Sequence, residues 1–236
     1  MIENLPTYIS ILFAITTMIT LLLFNWALKN SHDEITRQRS TKIILGLILW
    51  LCIQAFLSFK HVYSGSINSL PPKIVLFGVL PNIIFIALLF FTKSGRHFID
   101  GLPIKNLTYL HSIRIPVEIV LWYLFLNKTI PEEMTFDGRN FDILAGLTAP
   151  LIAYAGFSNL KLNKAVILIW NFICLGLLIN IGVIGFLSAP TPFQKFGFEQ
   201  PNIALLYFPF SWLISFIVPM VLFAHLVSIK QLIKYK

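Results

Sequence analysis

Apolar residues in this chain fall in long unbroken runs. They show neither the alternation of a half-buried strand nor the narrow stripe of a soluble helix. Seven runs approach the roughly 20 residues that a helix needs to cross a hydrocarbon core. They cover 8–28, 43–59, 74–92, 107–126, 141–157, 165–187 and 203–229. Polar and charged residues collect in the short segments between them. The pattern predicts an all-α, polytopic membrane protein, with 1–236 forming a single seven-transmembrane-helix bundle.

Composition narrows the function classes. Of 236 residues, 57% are hydrophobic and 12% are charged, and the mean hydropathy is +0.80. Soluble domains are roughly half apolar and a quarter charged. A soluble enzyme, a nucleic-acid-binding module and a disordered tail are therefore excluded. The net charge of +8 does not reopen the nucleic-acid reading, because no dense basic tract occurs.

Placement of the basic residues sets an expected orientation. Lys29, Arg37, Arg39, Lys42, Lys93, Arg96, Lys105, Lys161, Lys164, Lys230, Lys234 and Lys236 fall on one side of the seven runs. Lys60, Lys73, Lys128, Arg139 and Lys195 fall on the other. By the positive-inside rule the first side is cytoplasmic, with the N-terminus outside and the C-terminus inside. The acids Glu3, Glu132, Glu133, Asp137, Asp142 and Glu199 lie on or near the outer side. Tyr8, Trp26, Tyr123, Tyr207 and Tyr235, near run ends, suit interfacial anchoring. The start lacks a basic n-region, so the first run reads as a retained helix. Cys52 and Cys174 sit inside apolar runs and read as packing residues.

The fourth run carries the main chemical signal, His111-Ser-Ile-Arg114-Ile-Pro116-Val-Glu118-Ile-Val-Leu-Trp122. On a regular helix His111, Arg114, Glu118 and Trp122 share an arc of about 80°. Arg114 and Glu118 are spaced to pair along the helix. Both fall near the expected mid-depth, where an unpaired charge costs about 2.5–3.5 kcal/mol. The stripe is therefore expected to face the bundle interior or a wet cavity. One reading is an internal ion pair that only fixes register. The preferred reading is a site that binds a ligand or carries protons. Pro116 frees the carbonyl of Ser112, which then needs another partner.

Other runs offer polar groups at similar depth. Gln54 shares a face with Trp50, Ser58 and His61. Asn82 follows Pro81, and Ser211 and Ser215 share a side with Tyr207 and His225. Asn171 and Asn180 fall on opposite faces of their run. Together these residues predict a central or outward-opening polar pocket around Arg114 and Glu118. Asp142 opens the fifth run, either as a helix cap or, with Arg139, as the rim of that pocket. The small residues from Ala145 to Ala149 suit close helix approach, with Pro150 as a kink.

Residues 111–122 and 131–150 resemble motifs in uncharacterised bacterial seven-helix integral membrane proteins. The resemblance is confined to those stretches and has no function attached. It implies a multi-pass protein of a bacterial inner (plasma) membrane.

Other chemistries find little support. No Gly-x-Ser-x-Gly, Walker loop or His-Glu-x-x-His occurs. A retinal Schiff base would need a lysine in the middle of the last run, and Lys230 lies at its end. The Pro-Gln pair of PQ-loop carriers is missing. His111 and His225 fall at one depth and could hold haem or, with His97, a metal. No His-x-x-x-His or Cys-x-x-Cys spacing supports that, so no cofactor, metal or catalytic residue is predicted. The expected function is binding or transport of a small solute, lipid or proton. Its expected residues are Arg114, Glu118, His111, Trp122, Gln54, Asn82, Ser211, Ser215 and Asp142. The alternatives are an intramembrane enzyme on a lipid-like substrate, using Glu118, Asp142 and a histidine, or an assembly subunit of a membrane complex. Expected partners are membrane lipids and a small ligand, not nucleic acid, with a homo-oligomer or membrane partner left open.

Overall fold

A computed structural model describes residues 2, 5–66, 69–157 and 164–234. Glu3, Lys161, Tyr235 and Lys236, used above for orientation and anchoring, lie outside them. The regular elements among the described residues are all helical, and no strand occurs among them.

Helix α1, Thr7–Lys29, is followed by α2, Glu34–Phe59, whose start is fixed by Asp33. The Asp33 carboxylate accepts from the backbone N–H of Ile35 and Thr36, the free donors at a helix N-terminus. A π turn, Val75–Val79, leads into α3, Leu80–Phe91. Thr92 then caps the next helix through its hydroxyl, which accepts from Gly95 N–H at 3.1 Å. That helix, α4, Lys93–Gly101, leaves the preceding one at 91°. Helix α5, Ile104–Leu110, a 3-10 turn His111–Ile113 and α6, Arg114–Leu126, run on as one length. Helices α7, Ile143–Phe157, and α8, Lys164–Leu187, follow. A second π turn, Leu213–Ile217, leads into α9, Val218–Lys234.

Five of these helical lengths are long and apolar enough to cross a membrane, or six if the bent 75–101 pair forms one span. Such helices suit a multi-pass membrane protein. Two of the seven expected runs do not reach that length and apolarity as single helices. The third run is helical from Val75 to Phe91 but counts as a span only together with α4, beyond the bend at Thr92, and α7 has only 15 residues, about 22 Å at the helical rise. The last run also starts later than expected, since residues 203–210 form a 3-10 turn and further turns.

The last helix is the centre of the molecule. Two thirds of the apolar window from Leu213 onward is buried (67%), against 17% for α2. The core joins it to α1, α5 and α6 through Phe13, Phe24, Leu107, Leu110, Val120 and Ala224. Leu45, Leu49 and Phe56 of α2, with Ile169 and Ile173 of α8, remain exposed. Large apolar side chains turned outward are what a hydrocarbon solvent permits.

Candidate functional site

The site begins with a close approach of two helices. A Cβ on Gly146 would lie 2.9 Å from Ile115 Cγ1, 3.0 Å from its backbone nitrogen and 3.2 Å from Arg114 Cβ. Only glycine lets α7 lie this near the start of α6. Asp142, one turn before Gly146, is thereby delivered to the Arg114 guanidinium.

Arg114 Nη1 donates to Asp142 Oδ1 at 2.7 Å and to Cys174 O at 3.2 Å, while Nη2 donates to His225 Nε2 at 2.8 Å. A guanidinium has no acceptor, so Nε2 of His225 must accept and Nδ1 must carry the ring hydrogen. That hydrogen goes to Asn171 Oδ1 at 2.9 Å, and Asn171 Nδ2 donates to Ile167 O at 2.9 Å. Every link agrees with one neutral tautomer of His225.

On the other flank Asn140 bridges two acids. Its Oδ1 accepts from Asp142 N–H at 3.0 Å, and its Nδ2 donates to Glu118 Oε2 at 2.6 Å and Met134 O at 3.0 Å. The result is a continuous chain, Glu118–Asn140–Asp142–Arg114–His225–Asn171. Each member is buried, none more than 5% exposed.

The expected Arg114–Glu118 pair along the helix does not form. Arginine preceding an acid is the weaker order for such a pair, and Gly146 brings a better-placed carboxylate across from α7. The Asp142 carboxylate is spent on Arg114 and makes no capping hydrogen bond to the start of α7. Arg139 instead stacks over Phe196, 5.4 Å from the ring centre. Trp122 also leaves the expected stripe, donating through Nε1 to Asp137 Oδ2 at 2.9 Å in the loop after α6.

His111 stays with the group. It is fully buried, its ring stacked on His225 at 3.9 Å and edge-on to Trp170 at 5.5 Å. Neither of its nitrogens has a hydrogen-bond partner among the described residues. The same holds for Asn106 Nδ2, Ser112 Oγ, Arg114 Nε and Ser228 Oγ. The two histidine rings lie face to face, and both His225 nitrogens are already engaged, so the pair does not present converging nitrogens to a metal. Among the described residues no group of three or more His, Cys, Asp or Glu could hold a metal ion.

Gln54, Asn82, Ser211 and Ser215 do not join this chain. They build a second cluster whose logic lies in two prolines. Pro81 has no N–H for the carbonyl of Phe77, and Gln54 Nε2 donates to that carbonyl instead at 3.1 Å. Pro219 likewise frees the carbonyl of Ser215, which accepts from Trp50 Nε1 at 2.8 Å and Asn82 Nδ2 at 2.9 Å. Tyr63 O–H donates to Gln54 Oε1 at 2.6 Å, and the Ser58 and Ser211 hydroxyls meet at 2.7 Å. The cluster clamps α2, α3 and the start of the last helix. Burial pushes the Tyr63 phenol up to about 12.

A cavity of about 860 Å³ lies between α2, α3, α4 and α9. Of the residues expected to line a pocket, it touches Asn82, but not Arg114 or Glu118. Asn140, Trp170 and the carbonyl of Cys174 are the components that sequence reasoning missed. Asn140 stands next to the Asp137-Gly138 turn and reads there as an ordinary loop residue.

A family model described as a domain of unknown function (DUF8737) matches residues 71–233, which take in every member of the Arg114 chain. No curated protein and no solved structure matches.

Proposed function

Since this chain belongs to the DUF8737 family, whose description assigns no activity, we propose a function from its buried charge: a membrane protein that carries protons through the Arg114 network. The reading takes all seven apolar runs as spans of one domain, 1–236. It places the N-terminus outside and the C-terminus inside a bacterial inner membrane.

One observation carries it. The buried formally charged side chains among the described residues are Arg114, Glu118 and Asp142, two acids against one base. Arg114 is hydrogen-bonded to Asp142, and Glu118 has the neutral amide of Asn140. An unbalanced carboxylate in hydrocarbon costs several kcal/mol. One proton restores balance, and it needs no coordination sphere, unlike a metal ion.

The polar groups also extend in both directions. Outward, Asn140 ties Glu118 to the loop before α7. Inward, His111, Ser112, Asn106 and Ser228 supply buried polar atoms that require partners. From Asn106 to Glu118 is about 18 Å along the helix, more than half of a hydrocarbon core of about 30 Å. Such strings of ionisable and polar groups serve as proton relays. Glu118 is the outer proton acceptor and His111 the next carrier inward. Asp142 and Arg114 are a fixed pair, and Asn171 orients His225. Gln54, Asn82, Ser211 and Ser215 hold the bundle together, and Trp122 anchors the outer loop.

The test is proton uptake into vesicles loaded with a pH-sensitive dye. Purified protein is reconstituted and a potassium diffusion potential is imposed. Uptake several-fold above protein-free vesicles is expected. Uptake equal to that of empty vesicles, from protein of native helicity, would sink the reading.

A further inference from the structure

The cavity between α2, α3, α4 and α9 is separate from the Arg114 chain, and its walls change character along their length. At one end lie Arg39, Lys42 and His97. Further in the lining is hydrocarbon, with Leu47, Phe85, Leu89, Met220 and Phe223. The far end is closed by Trp50 and Asn82.

Each zone restricts the occupant. Arg39 and Lys42 are exposed and three residues apart on α2, so they share a face. Neither has a carboxylate partner among the described residues. The acid at that end, Asp33, is already taken up by the N–H groups of Ile35 and Thr36, the Thr36 hydroxyl at 2.6 Å and His97 at 3.3 Å. These hydrogen bonds leave Asp33 anionic, so two cations face one acid and the mouth carries a net positive charge. At the far end, the indole of Trp50 donates to the carbonyl of Ser215, and the amide of Asn82 donates to the carbonyls of Ser215 and Gly78. That end offers no free donor to a polar ligand and suits the end of a hydrocarbon chain.

Length agrees. From Arg39 to Trp50 is about 16 Å along α2, close to half of a hydrocarbon core of about 30 Å. One leaflet has that depth. Helix α4, turned 91° from α3, closes the mouth as a helix lying in the plane of the interface would.

We propose that this cavity is a binding site for one acidic phospholipid of the cytoplasmic leaflet. Its phosphate lies between Arg39 and Lys42 and an acyl chain runs to Trp50 and Asn82. The proposal rests on membrane placement with the basic loops inside and not on the proton relay.

The test is lipid retention measured by native mass spectrometry. The full chain is reconstituted in equimolar phosphatidylglycerol and phosphatidylcholine vesicles and then extracted. A cation near a membrane surface contributes about fivefold in affinity for acidic lipid, so wild type is expected to retain phosphatidylglycerol well over fivefold in preference. Arg39→Gln/Lys42→Gln is expected to retain lipid with the preference lost. Gly46 also lines the cavity, and a Cβ there meets nothing within 4 Å. Gly46→Phe, which fills the space without disturbing its backbone, is expected to retain neither lipid. Equal retention of both lipids by wild type, an unchanged preference in the double variant, or undiminished retention in Gly46→Phe would each overturn the proposal.

Discussion

Arg114 and Asp142 meet at 2.7 Å across 28 positions of sequence, with side chains only 3% and 6% exposed. A pair this well buried costs much desolvation, so its net contribution is small while the loss of one partner is severe. Asp142→Leu or Arg114→Met alone is expected to lower stability by about 3–5 kcal/mol. The double variant, which removes both charges, is expected to regain most of that. Thermal unfolding in one detergent reads the difference, and a double variant worse than both singles would contradict the pairing.

Gly146 makes that pair possible, so its replacement tests the approach of α7. A methyl at 146 meets Ile115 nitrogen at 3.0 Å, and Gly146→Ala is expected to cost about 1–3 kcal/mol by overpacking. Gly176, also helical, has nothing within 4 Å of its would-be Cβ. Gly176→Ala is expected to be neutral or slightly stabilising. Equal unfolding midpoints for the two variants would show that the close approach is not needed.

Much of this was legible in the chain, and what was not has physical causes. The apolar runs and the burial of Arg114 and Glu118 follow from solvent alone, because hydrocarbon admits neither bare backbone nor bare charge. The partner of Arg114 was hidden, since nothing local marks Asp142 as reaching back across 28 residues. The polar faces were misjudged where the helix is not regular. The π turn at Leu213–Ile217 inserts about one residue, so positions beyond it rotate by about 100°. On a uniform helix His225 shares a side with Ser211 and Ser215. Here it turns to Arg114, while the serines turn to α2 and α3. Pro81 and Pro219 were visible, but the side chains that answer their freed carbonyls come from other helices.

The carbonyl of Ser215 accepts from both Trp50 and Asn82. Trp50→Phe/Asn82→Leu strips both donors and is expected to cost about 1–3 kcal/mol for the unmet acceptor, beyond lost packing. Pro219→Ala restores a backbone N–H in the next turn. Added to the double variant, it is expected to recover part of the loss. A cycle of unfolding free energies in which Pro219→Ala gives the same change in both backgrounds would remove the proposed link.

At the C-terminal end of α9, Lys230 and Lys234 donate to Asp100 at 2.7 and 2.8 Å. Burial alone would raise the Asp100 carboxyl, but the two lysines outweigh it and hold it below its ordinary 3.8. A carboxyl lowered on folding stabilises fully above its unfolded value and loses that contribution as pH falls through the folded one. Wild type is therefore expected to lose stability more steeply than Asp100→Asn below about pH 4. Unfolding midpoints from pH 7 to 3 check this, and parallel curves would contradict it.

Glu118, the buried acid with no cation of its own, is the proposed carrier of the proton. Initial rates of dye-reported proton uptake in vesicles, compared for wild type, Glu118→Gln and Ser211→Ala, test it most directly. Uptake is expected to fall about tenfold or more, over 1.4 kcal/mol in barrier, in Glu118→Gln, and to persist in Ser211→Ala. Undiminished uptake in a folded Glu118→Gln protein would contradict the account.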